Sequence, residues 1–300
     1  MPKFAPSKVV PNDISKARKM WGGSHCFFVD VSKWQDVKDY GALANSIDAA
    51  IVKISGITST GVLYEDSKAK NHIQQLTKRK TPCGGYHYCK FVGDDSRTLF
   101  DPKSQATFFV DACKKYPLTV IAPDMEPGEL EAAIRAGMEP ADIEDWTKEF
   151  ISILKSETKN PLAMYASTAC LKKADGGLDW LNSSDLLLWW AGYPRQPFSW
   201  PAQGPAQPLK WPKGWPLSGP QGARWAWQYM GGDDDRTPTI DEGGKAPGNS
   251  GDIDCDVTPK GGAFARALTS GIYKTRINWR GLFGGLALVG GLAAAFKMRR

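Results

Sequence analysis

Asp124 and Glu126 stand one residue apart at the end of a short apolar run, in the stretch TVIAPDMEPGEL, residues 119 to 130. On an extended chain alternate side chains share a side, so the two carboxylates face the same way. Each makes the other harder to ionise, which holds a proton on one of them near neutral pH, as general acid catalysis requires. A polar turn or a helix N-terminus, where acids are also favoured, would produce the same pair. Other apolar runs carry matching chemistry: Asp30 closes an early one, and Asp254 lies in DIDCDV, residues 252 to 257. Tyr86, His87, Tyr165, Trp189, Tyr193, Gln228 and Tyr229 reach the same expected rim. An acid-lined cleft with aromatic walls suits hydrolysis of a glycosidic bond. One acid protonates the leaving oxygen while other carboxylates stabilise the positive charge at the anomeric carbon.

Residues so far apart in sequence need a scaffold that gathers strand ends at one place. CFFVDVS, AAIVKIS, CGGYHYCKF, LTVIAPDME, PLAMYAS, LLLWWAGY, ARWAWQYM and DIDCDV read as eight strands. Between the earlier ones lie helical stretches, the clearest being ADIEDWTKEFISILKSE with apolar residues at helical spacing. Continuous apolar strands alternating with helices predict a mostly parallel sheet covered by helices. With eight strands the sheet is expected to close into an α/β barrel whose helices thin out late in the chain, with the functional residues at one mouth. Residues 194–224 interrupt the pattern with eight prolines and three tryptophans, each Trp followed by Pro. That density forbids helix and central strand and predicts a semi-rigid loop, its tryptophans either stacking on sugar rings or packing onto the domain. Residues 231–251 read as a second, polar loop.

Composition narrows the class. The chain of 300 residues is 42% hydrophobic and 23% charged with a net charge of +6, a globular balance that suits an anionic polymer, a bacterial wall or a membrane surface. No Lys/Arg stripe with interleaved aromatics points to nucleic acid. The six cysteines are irregularly spaced without a CxxC pair and there are three histidines, so neither a zinc site nor another metal or cofactor is expected. Reduced thiols are expected. The first residues lack an apolar core of the kind a secretory leader has, and synthesis in a bacterial host cytoplasm is expected. Residues 281–296 form an uncharged run of 16 between Arg280 and the basic tail 297–300. As a helix it reaches about 24 Å, against roughly 30 Å for a hydrocarbon core. Flanking basic residues and Trp279, with small residues at four-residue spacing, suit a membrane-spanning or membrane-interacting helix. A buried C-terminal helix is the plainer alternative. The expected organisation is an N-terminal arm (1–23), a barrel (24–268), a basic linker (269–280) and this helix.

From Phe27 to Thr258 the ordered motifs resemble the family 25 glycoside hydrolases, N-acetylmuramidase lysozymes of bacteria and phage endolysins. VDVSKWQ (29–35), GGYHYCKF (84–91), PDMEP (123–127), AMYAS (163–167), LWWAGY (188–193), WAWQY (225–229) and DIDCDV carry the resemblance. It implies an irregular (β/α)5β3 barrel and cleavage of the β-1,4 bond between N-acetylmuramic acid and N-acetylglucosamine in peptidoglycan, without a cofactor. It implies Glu126 as general acid, Asp124 as its neighbour holding the N-acetyl group or tuning the acid, and Asp30 and Asp254 as further cleft carboxylates. Tyr86, Tyr165 and Gln228 would line the saccharide sites. The resemblance also suggests a phage lysis protein or a virion component. Three departures bear on substrate fit: Gly56 where an acid or polar residue is common, Thr258 where an aromatic is common, and the long 194–224 loop. The competing reading is a catalytically inactive glycan-binding or structural virion protein on the same barrel.

Overall fold

The computed structural model describes residues 13–94, 98–167, 185–191, 225–230, 246–250 and 253–269. Tyr193, the Pro/Trp segment 194–224 and the apolar segment 281–296 lie outside the described residues.

The first strand, β1 (His25–Val31), pairs in parallel with β2 (Ala49–Ile57), on which β3 (Leu63–Glu65) folds back as an antiparallel flap. The parallel series continues from β2 through β4 (Cys83–Tyr88), β5 (Ile121–Met125), β6 (Ala163–Ser167), β7 (Leu187–Ala191) and β8 (Trp225–Met230). The last strand, β9 (Asp254–Pro259), runs antiparallel to both β8 and β1 and closes the ring of eight. Its reversed direction matters for the site. Asp254 is the first residue of β9, and antiparallel pairing sets it opposite Asp30 near the C-terminal end of β1.

Alternation along each strand divides the apolar residues into two layers. Phe28, Ile51, Ala122, Ala163, Leu187 and Ala226 fill the lumen. Val29, Val52, Met125, Met164, Trp190 and Val257 face outward, in one core with the covering helices. The covering helices include α1 (Ile14–Trp21), α2 (Tyr40–Ser46) and α3 (Ala69–Lys78), then α4 (Pro102–Cys113), α5 (Pro127–Arg135) and α6 (Pro140–Glu157). Both α4 and α6 start at a proline, whose fixed φ and missing N–H suit the first helical position. Part of the segment expected as an N-terminal arm is built into this layer: Ile14 and Ala17 of α1 are fully buried, and Arg18 pairs with Asp48 at 2.8 Å.

The helix α7 (Ala263–Thr269) follows β9 and plugs the end of the lumen away from the acids. Its Phe264 and Leu268 are fully buried in the inner layer, and Phe264 stacks on Phe28 with centroids 5.8 Å apart. Burying an aromatic of this size contributes about 1.5–3 kcal/mol. One end of the barrel is thereby closed by apolar packing; the acids Glu126 and Asp254 stand at the other end, the mouth, where they are partly exposed. Gly84 and Gly85 let β4 pack closely: a Cβ on Gly84 would sit 2.6 Å from Val120 Cγ1, and one on Gly85 2.7 Å from Ile54.

Candidate active site

Local sequence explains how Glu126 reaches the mouth. Pro127 is the first residue of α5, and a proline ring disfavours helical backbone in the residue before it. Glu126 is accordingly extended (φ −84°, ψ 148°), so the alternation of β5 runs one residue past the strand and puts Glu126 on the side of Asp124. Glu126 occupies the N-cap position of α5 yet makes no side-chain capping bond. Asp101, in the same acid–proline context before α4, does cap, accepting from the backbone N–H groups of Lys103 and Ser104.

A hydrogen-bonded network lines the lumen below. Tyr165 O–H donates to Gln228 Oε1 at 2.9 Å, and Gln228 Nε2 donates to Asp30 Oδ2 at 2.7 Å. The Trp189 indole N–H donates to Asp256 Oδ1 at 2.8 Å. Tyr86 and Tyr165 meet the Trp189 ring edge-on, with centroids 5.9 and 4.7 Å away. The register accounts for the grouping, since Tyr165 is the ladder partner of both Asp124 and Trp189, and Gln228 that of Asp256.

These carboxyls differ in depth. Asp256, Asp30 and Asp124 are buried, whereas Glu126 and Asp254 are partly exposed at the mouth. Burial pushes the Asp30 carboxyl well above its ordinary range, reinforced by the charges of Asp254 and Asp256. Asp256 is raised by burial and by Asp254, while its bond from Trp189 and its neighbour Asp30 work the other way. Asp124 is raised by burial and then by Glu126, and Lys53 opposes the shift. Burial thus favours the protonated form of Asp124, and the neighbouring Glu126 charge adds to that effect. Oδ1 of Asp124 and Oδ2 of Asp256 are buried and have no hydrogen-bond partner among the described residues.

The structure brings Asp30, Asp124, Glu126, Asp254, Tyr86, Tyr165, Trp189 and Gln228 to one lumen and mouth. It places His87 and Tyr229 elsewhere, because each follows a lumen residue and alternation turns it outward. The fully buried His87 ring packs on Phe109 of α4 and Phe150 of α6. Its Nε2 lies 3.3 Å from Gln105 Oε1, an acceptor, so Nε2 carries the proton and Nδ1 accepts from the Ser55 hydroxyl at 2.8 Å. Tyr229 is fully buried in the outer core against Trp227. Neither lines the lumen.

Sequence reading passed over Asp256, Lys53 and Tyr88. A signal for Asp256 was present, since it stands two residues from Asp254 on the same strand. Lys53 is the ladder partner of Tyr86, with its Nζ 4.4 Å from the ring centroid of Tyr88 and 5.8 Å from that of Tyr86. Tyr88 donates to Glu129 Oε1 at 2.8 Å, and Lys90 Nζ meets the same oxygen at 2.7 Å. The departure at Gly56 also has a structural counterpart. A Cβ there would lie 2.8 Å from the Tyr64 hydroxyl and 3.2 Å from Tyr88 Cβ, so the β3 flap occupies the space a side chain would need. Thr258 lies at the far end of β9, buried, and donates to the Trp225 carbonyl at 2.7 Å.

Among curated proteins none matches the chain. Solved structures share its fold. The bacterial lysozyme from Streptomyces coelicolor is 16% identical, with a TM-score of 0.56 over 82% of this chain and 97% of that one. The catalytic domain of endolysin ply40 from bacteriophage P40 of Listeria monocytogenes is 19% identical, with a TM-score of 0.54 over 84% and 98%. The muramidase from Trichobolus zukalii is 18% identical, with a TM-score of 0.53 over 82% and 99%. A family model, Glycosyl hydrolases family 25, matches residues 29–231, about two thirds of the chain and most of the barrel that carries the acids. The chain belongs to glycosyl hydrolases family 25.

Proposed function

We propose that this glycoside hydrolase is a muramidase, cleaving the β-1,4 bond between N-acetylmuramic acid and N-acetylglucosamine in peptidoglycan. The observation that carries the reading is the Asp124–Glu126 pair at the mouth, with one carboxyl buried and the other partly exposed beside it. Glu126 acts as general acid. Substrate seated in the mouth excludes water from its carboxyl, raises its proton affinity and lets it protonate the glycosidic oxygen as the bond to the anomeric carbon breaks. Asp124, its Oδ1 without a partner among the described residues, receives the N-acetyl group of the reacting sugar and assists neighbouring-group attack with retention. Asp30 and Asp254 stabilise the positive charge developing at the ring. Tyr86, Tyr165, Trp189 and Gln228 line the saccharide sites.

Residues 281–296 are assigned membrane association, on the strength of their uncharged run between basic flanks. Among the described residues no helix is long and apolar enough to cross a membrane. A wall hydrolase with a basic, apolar tail fits lysis of a bacterial host by a phage. Co-flotation of the full chain with anionic vesicles, lost when residues 281–296 are deleted, tests the tail.

The central test measures new reducing ends released from purified peptidoglycan by the full chain and by Glu126→Gln. After borohydride reduction, muramitol is expected with the parent, falling about 10²–10⁴-fold in the variant. Glucosaminitol in place of muramitol would overturn the bond assignment. No new ends from a folded parent across several wall types would establish an inactive glycan-binding protein instead.

A further inference from the structure

Asp256 is the deepest carboxyl of the lumen and has no place in the mechanism above. It is fully buried on β9, one oxygen accepting the Trp189 indole N–H at 2.8 Å and the other without a partner among the described residues. An ionised carboxylate so placed would leave charge uncompensated beside Asp30 and Asp254. Gln228 gives its amide N–H to Asp30, held in that orientation by the Tyr165 hydroxyl at its other end. Trp189 can donate only one hydrogen bond, and it reaches Asp256.

We propose that Asp256 is a positioning residue, a neutral carboxylic acid that holds the Trp189 indole upright in the saccharide site while adding no charge beside Asp30 and Asp254. The inference rests on the muramidase reading of the same lumen and adds a residue to it. Trp189 is the ring on which Tyr86 and Tyr165 pack edge-on, so its tilt sets where both phenols point. Tyr165 in turn fixes Gln228 and through it Asp30. One acceptor at the base of the lumen thereby governs the wall that meets the sugar. A carboxylic acid suits the task because its carbonyl oxygen accepts from the indole while its hydroxyl end remains neutral. The titratable groups acting on Asp256 are Asp30 from β1 and Asp254 from β9 itself; burial, the largest influence, and Asp254 oppose its ionisation, while Trp189 and Asp30 favour it.

The test compares Asp256→Asn, which keeps an acceptor and adds no charge, with Asp256→Val, which removes the acceptor at similar volume. Turnover of peptidoglycan should fall about 10–100-fold in D256V and stay within about threefold of the parent in D256N, with the acid limb of the pH–rate profile unmoved in D256N. The Trp189 indole N–H resonance, identified by its absence in Trp189→Phe, should resist solvent exchange in the parent and D256N and lose that protection in D256V. Should D256V fail to fold, Trp189→Phe breaks the same bond from the other side and should give the same 10–100-fold loss. A folded D256V or a W189F with parental turnover overturns the proposal. So does a D256N whose acid limb shifts or whose turnover falls with D256V, since Asp256 would then act through its charge. A parent that is folded but inactive fails the muramidase reading alone. The indole protection, together with binding of a peptidoglycan tetrasaccharide to parent, D256N and D256V, then decides the role of Asp256: weakening confined to D256V sustains it, and equal binding overturns it.

Discussion

Tyr86 and His87 are neighbours on one strand, and so are Gln228 and Tyr229, yet the members of each pair live in different environments. Tyr86 and Gln228 face a lumen where acids, tyrosines and an indole are tied by hydrogen bonds around buried carboxyls. His87 and Tyr229 face the helix-covered shell, where a ring is valued for its volume and both nitrogens of His87 are matched locally. The shell is assembled to be stable, whereas the lumen stores unfavourable electrostatics. Three buried carboxyls, Asp30, Asp124 and Asp256, share one small space, and burial raises the proton affinity of each. Such concentrations of like charge are kept where chemistry uses them.

This contrast can be broken from either side. The largest effect is expected in the shell. His87→Ala removes a buried ring from between Phe109 and Phe150 and strands the Ser55 hydroxyl, costing about 3 kcal/mol in urea unfolding. The fraction that remains folded should turn over peptidoglycan within about threefold of the parent. A larger loss with unchanged stability would return His87 to the site.

In the lumen the signs reverse. Asp124→Asn should abolish most turnover and yet stabilise the fold by about 0.5–2 kcal/mol at pH 8. The folded pKa of Asp124 lies above its ordinary value, so its contribution is complete below about pH 4 and is lost as pH rises and the buried group is forced to ionise. Denaturant midpoints of parent and variant should converge at acid pH. A variant less stable than the parent at pH 8 would mean that Asp124 carries a structural charge.

The smallest effect is a pH slope. Burial holds the His87 pKa down to about 3, so the unfolded chain binds a proton that the folded chain refuses. The corresponding stability is complete above about pH 6.5 and lost as pH falls toward 3, at no more than about 1.4 kcal/mol per pH unit. His87→Gln should flatten that part of the stability curve. An unchanged slope would place the proton uptake elsewhere.

Much of this arrangement is legible in the sequence because it depends on alternation. The apolar runs, their order and the acids at their ends give an α/β barrel with one acidic mouth, and the motif series points to family 25 before any coordinate is known. The same alternation, applied to GGYHYCKF and WAWQY, would have turned His87 and Tyr229 outward. Motif matching groups adjacent letters that a strand sends to opposite faces. Asp256 was missed for the converse reason, since its tie to Asp254 is two residues along the strand and its partner, Trp189, is 67 positions away.

Local chemistry determined where Glu126 stands: proline at 127 starts a helix and keeps the preceding residue extended, whatever surrounds it. Residue order likewise determined that Asp124 shares its side. Which carboxyl is buried and which meets water, and whether Asp254 lies at the mouth, were decided only when β9 closed the ring in reverse and set Asp254 opposite Asp30. Proton affinity depends on burial and on neighbouring charge, and both come from segments that meet only in the closed barrel. The sequence alone therefore names the acids. The closed barrel sets the depth of each, and with it the proton each one holds.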